Sequence, residues 1–99
     1  MLYLVGDGAP HDPAYRVPFL VRRERAPTYE LVNVGDERLR GIRLTLLGDG
    51  RLVWGIPSVL EPADGLLFRM HGDDLARSSV VIVRWLRPSG DEYLWRISL

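Results

Sequence analysis

Two dense β-forming runs close the chain, Val80-Val81-Ile82-Val83-Arg84-Trp85-Leu86 and Tyr93-Leu94-Trp95-Arg96-Ile97-Ser98-Leu99, and the turn-like Arg87-Pro88-Ser89-Gly90-Asp91-Glu92 lies between them. β-branched and aromatic side chains fit a pleated, half-buried surface better than a helix. Pro88 suits the first central position of a type I turn and Gly90 the left-handed position that follows, which predicts a three-residue loop with a bulge. That loop fixes a register. Trp85 should face Tyr93, Val83 should face Trp95 and Val81 should face Ile97, all on one side of the ribbon. A slip of one residue would set Trp85 against Leu94.

The remainder has the same grammar. Turn signals at Gly6-Asp7-Gly8, Ala26-Pro27, Val34-Gly35-Asp36, Gly48-Asp49-Gly50, Pro62-Ala63-Asp64-Gly65 and Gly72-Asp73-Asp74 leave room for strands at Leu2 to Val5, Val17 to Arg25, Tyr29 to Val34, Gly41 to Leu47, Leu52 to Trp54 and Leu66 to His71. With the final hairpin this gives about seven or eight short strands and predicts an all-β antiparallel β-sandwich. Asp73 to Ser78 supports one helical turn at most, and three prolines keep Ala9 to Pro18 irregular or at an edge. Alternation assigns Tyr29, Leu31, Ile42, Leu44, Leu46, Leu66, Phe68, Met70, Val81, Val83, Trp85, Tyr93, Trp95 and Ile97 to the core. Glu30, Arg43, Thr45, Arg69, Arg84, Arg96 and Ser98 then face water.

Ninety-nine residues make one domain spanning 1–99, with 1–27 the part least defined by pattern. There is no cysteine, so disulfides, thiolate metal sites and cysteine nucleophiles are excluded. Thirteen cations, all arginine, balance thirteen anions, and no overall field draws the chain to nucleic acid or an anionic membrane. Met1 to Asp7 has no positive stretch and too short an apolar run for a secretory signal. With Met1 as the natural start, the expectation is a soluble, cytoplasmic protein with no membrane partner.

Candidate chemistry is sparse. His71-Gly72-Asp73-Asp74 with His11-Asp12 offers imidazole and carboxylate ligands, but Gly-Asp recurs in five turns and reads as punctuation. The expectation is no metal and no cofactor. Ser58, Ser78, Ser79, Ser89 and Ser98 have no nucleophile context, and the pairs Asp73-Asp74 and Asp91-Glu92 lie in turns, so catalysis is not expected. Arg22-Arg23-Glu24-Arg25 could meet phosphate. Read as a strand, it puts Arg22 and Glu24 on one side and Arg23 and Arg25 on the other, and charges on an edge strand that discourage aggregation are the simpler account. Trp54, within Leu52 to Pro57, could stack on a ligand. Closing one end of a sandwich is the preferred role, because Val53 and Ile56 should not be left wet.

From Thr28 onward the order strand, Asn33-Val34-Gly35-Asp36-Glu37, strand, Leu60-Glu61-Pro62-Ala63-Asp64-Gly65, strand resembles bacterial immunoglobulin-like sandwiches of the cell-adhesion-related and fibronectin type III-like kind. Members of that group often carry Asn-x-Gly after the second strand and Pro-Gly-Glu or Pro-Gly-Asp before a later one; this chain has Asn33-Val34-Gly35 and Pro62-Ala63-Asp64. The antibody-type cysteine pair and a tyrosine corner at the Val80 strand are absent. The resemblance implies a non-catalytic module that acts through protein contacts. A small ligand-binding or enzyme-accessory domain is the first alternative and a nucleic-acid-binding domain the second.

The expected interface lies on the outer side of the final hairpin, where Val80, Ile82 and Leu94 sit beside Arg84 and Arg96. Apolar residues mixed with arginine match a protein-binding patch. Partial cover by the arginine stems or by the N-terminal segment is the competing reading. Self-association through this patch would give a two-fold homodimer.

Overall fold

The computed structural model of the chain describes residues 2–5, 15–48, 50–55, 58–72 and 79–98, with the backbone alone for 2–5. They form β1 (Leu2–Val5), β2 (Phe19–Arg22), β3 (Thr28–Asn33), β4 (Arg40–Gly48), β5 (Arg51–Trp54), β6 (Gly65–His71), β7 (Ser79–Leu86) and β8 (Glu92–Ser98). The strands make two antiparallel sheets, ordered β1-β8-β7-β4 and β2-β3-β6-β5. The fold class is therefore all-β. The helical turn considered at Asp73 to Ser78, and His11, Asp12 and Ile56, lie outside the described residues.

The β7–β8 hairpin has the register its loop chemistry dictates. Trp85 opposes Tyr93, Val83 opposes Trp95 and Val81 opposes Ile97. Gly90 adopts φ +92°, its N–H donates to the Arg87 carbonyl at 2.8 Å, and the Arg87 N–H donates to the Asp91 carbonyl at 3.0 Å. A side chain at Gly90 would be strained by that φ alone.

Strand alternation carries inward residues into one core. Burial in β6 switches at every step, with Leu66, Phe68 and Met70 inside and Leu67, Arg69 and His71 outside. Every residue assigned inward from the sequence belongs to the buried cluster or packs against it. The sheets meet through rings, since Phe19 of β2 stands edge-on to Trp85 of β7 at 5.0 Å and stacks on Trp95 of β8 at 6.4 Å. Tyr29 stacks on Phe68 at 5.3 Å within the other sheet. Edge-to-face and offset pairs of this kind add to the apolar area they bury.

Two expectations need correction. β2 ends at Arg22, and the chain turns at 24–27, where Ala26 N–H donates to Arg23 and Thr28 N–H to Arg25. Glu24 and Arg25 therefore have no strand face, and only Arg22 projects from the sheet, beside Glu30. Val53 is 49% exposed. On the edge strand β5 it points away from Leu52 and Trp54, which are the residues packed against the core.

The turn Glu61-Pro62-Ala63-Asp64 explains a local oddity. Asp64 N–H donates to the Glu61 carbonyl at 3.0 Å, Pro62 occupies the first central position, and Ala63 sits at φ +75°. A type II turn reserves that second central position for glycine. Ala63→Gly should raise stability by about 1 kcal/mol, the left-handed penalty of alanine outweighing the freedom glycine adds to the unfolded chain. A urea titration should show a higher midpoint with unchanged slope; a lower midpoint would mean the turn is unstrained.

Candidate functional site

Two regions bring polar and aromatic chemistry together. The first is at the root of the β7–β8 hairpin. Arg87 clamps Glu37 with two parallel hydrogen bonds, Nε to Oε1 and Nη2 to Oε2, each 3.0 Å. Both side chains are partly buried, and such a fork is the strongest form of this ion pair. The Arg87 guanidinium also lies 3.9 Å from the centre of the Tyr15 ring. The Tyr15 hydroxyl in turn accepts a 3.1 Å hydrogen bond from the Trp85 indole. Burial raises the Tyr15 pKa above its ordinary value, opposed by the Trp85 hydrogen bond and the Arg87 charge.

Just behind this clamp lies Asn33, completely buried. Its amide donates to the carbonyls of Glu37 at 2.8 Å and Leu60 at 3.1 Å, and its side-chain oxygen accepts from Gly35 N–H at 3.0 Å. One side chain thereby ties the β3–β4 loop to the segment before β6. The cluster is fully occupied with itself. No buried side-chain nitrogen or oxygen among the described residues lacks a partner, and Arg87 is already committed to Glu37. Its hydrogen bonds fasten these loops together.

The second region is the outer face of β4, β7 and β8. The five residues expected there share one face, but unequally: Ile82 is 8% exposed, Val80 and Leu94 are half-buried, and Arg84 and Arg96 are exposed. Ile82 is central, with Thr45 opposite on β4 and Arg96 opposite on β8, while Leu94 lies between Arg84 and the Tyr3 position of β1. The aliphatic side chains are thus largely covered, and charge dominates what remains accessible. Leu47, opposite Val80, is the apolar exception at 51% exposure.

Sequence reasoning left Arg43 out of this site. Register puts it there: Arg43 of β4 is directly opposite Arg84 of β7. Arg96 is opposite Ile82, hence diagonal to Arg84. Cβ atoms of opposed residues lie about 5 Å apart and diagonal neighbours about 7 Å, so Arg84 is the middle member of a triangle, with Arg43 beside it on one strand and Arg96 on the other. Among the described residues none of the three has an ion-pair or hydrogen-bond partner. Glu92 is the acidic residue on this face of β8, opposite Leu86, and it makes no such bridge.

The other candidates stay apart. His71 is exposed at the end of β6, and the described residues contain no group of three metal-ligating side chains. No helix among the described residues is long and apolar enough to cross a membrane. Compared with protein-family models, curated proteins and solved structures, the chain has no match.

Proposed function

We propose that the chain is an immunoglobulin-like, non-catalytic module that works by binding another protein, itself included, through the outer face of β4, β7 and β8. The immunoglobulin-like reading draws support from strand order. With β2 to β8 lettered A to G, the sheets read A-B-E-D and C-F-G, the constant-type arrangement, with β1 added beside G. Ala63 supports it too, because it adopts the left-handed conformation at the position where the resembling sandwiches carry Pro-Gly-Asp. The binding reading rests on one observation: an arginine triangle with exposed Leu47 on the outer face of β4, β7 and β8. Arginine beside aliphatic residues is the composition of protein-binding surfaces.

The test reverses charge at exposed positions so that folding is not the variable. In Leu47→Glu/Arg84→Glu, sedimentation should show loss of any self-association and pull-down from native lysate should lose the partner recovered by the wild type, at unchanged melting temperature. A folded double variant that keeps both behaviours would refute the proposal, as would a wild type that is monomeric and recovers no protein.

A further inference from the structure

We infer that the Arg43, Arg84 and Arg96 triangle is a docking site for an acidic polypeptide segment that also carries apolar residues. The inference rests on the binding-module reading above and adds the chemistry of the partner. Like charges directly opposite on neighbouring strands destabilise a sheet, yet Arg43 faces Arg84 with no carboxylate bridging them. Three other arginines do have a carboxylate: Arg22 lies by Glu30, Arg38 by Glu61 and Arg87 in the fork of Glu37. Glu92, the diagonal neighbour of Arg84 on its other side, makes no bridge to it, so the three guanidinium groups are left to solvent ions or an anionic partner.

Geometry narrows the class. An extended chain repeats side chains on one face about every 6.8 Å, close to the diagonal separation of two of the three arginines, so alternate Asp or Glu residues can each reach a guanidinium. Guanidinium groups are suited to carboxylate because the planar fork takes both oxygens at once. Apolar residues on the same face of such a segment, in register with its acidic ones, would meet Leu47, Val80 and Leu94, which are exposed or half-buried. A polyphosphate fits less well. Its phosphates would leave Leu47, Val80 and Leu94 without an apolar partner.

Fluorescence anisotropy with the full chain tests this, using a labelled peptide in which every second residue is Glu or Leu in turn with Ser between them, its counterpart with Gln for Glu, and a labelled single-stranded oligonucleotide. The acidic peptide should bind best and weaken with salt. Arg43→Gln/Arg84→Gln/Arg96→Gln should weaken it by roughly tenfold or more, with an unchanged far-ultraviolet spectrum. If the triple variant does not fold, Arg84→Gln alone, at the exposed centre of the triangle, should still give the largest single loss. Equal binding of both peptides, undiminished binding by the folded variants, or preference for the oligonucleotide would each overturn the inference. If the acidic peptide fails while a native partner is recovered and then lost in Leu47→Glu/Arg84→Glu, this inference falls and the binding-module reading stands.

Discussion

Asn33→Asp should be the most damaging single-atom exchange in the molecule, and its damage should shrink in acid. The substitution replaces an amide that donates to the Glu37 and Leu60 carbonyls with a carboxylate that repels both. A buried, unpaired charge together with two lost donations costs about 3 to 5 kcal/mol, a large share of the roughly 5 to 15 kcal/mol that holds a typical domain together. Burial and two facing carbonyls favour the neutral form, so the new carboxyl has a higher pKa folded than unfolded. The electrostatic penalty is thus absent below the unfolded value, about 3.9, and grows as pH rises through the folded value. Below that window the protonated acid also recovers one of the two donations. Urea midpoints for wild type and variant across this range should converge as pH falls. A stability difference that stays constant with pH would show that Asn33 does not donate as described.

Trp85→Ala should be of similar size for a different reason. The indole is fully buried between Phe19 at 5.0 Å and Tyr93 at 5.9 Å, and its N–H satisfies the Tyr15 hydroxyl. Truncation opens a cavity where the sheets meet and should cost about 3 to 5 kcal/mol, a fall in melting temperature of roughly 15 to 30 °C. Trp85→Phe keeps most of the packing and loses only the hydrogen bond, so it should fall much less. Similar losses in the two variants would move the weight of this residue from packing to its N–H group.

These residues also mark where sequence could and could not be read. The β7–β8 register was legible because Pro88 and Gly90 specify the loop, and the loop specifies which residues oppose one another. β6 was legible because one face is dry and the other wet. Leu39 and Leu60 were not, although both are fully buried and bridge each other with backbone bonds of 2.8 and 2.9 Å. Leu39 is a lone aliphatic residue between two arginines and Leu60 follows Val59 in a segment with no strand pattern, and their meeting joins parts of the chain that no local period connects. Asn33 looked like turn chemistry for the same reason. Its carbonyl partner at Leu60 arrives only with the tertiary fold.

The candidate interface divides along the same line. Alternation placed Val80, Ile82, Arg84, Leu94 and Arg96 on one outer face. It said nothing of how β7, flanked on both sides, would cover Ile82, or of which strand would lie against Arg84. Arg43 enters through a pairing between strands separated by β5 and β6 in the chain. A period of two tells which way a side chain points, whereas its neighbours across the sheet are set by topology.

That topology also sets a clock. Three pairings join consecutive strands, β2 with β3, β5 with β6 and β7 with β8, while β1 with β8, β3 with β6 and β4 with β7 join strands far apart in the chain. Hairpins close in about 1 to 10 microseconds, whereas sandwiches dominated by distant pairings assemble in milliseconds to seconds. For most of its folding time the chain is therefore a set of short ribbons, each with its future core face in water. During that interval the same alternation that makes β6 and β7 readable makes them adhesive, and the newly made protein depends on those ribbons meeting one another before they meet a neighbouring chain.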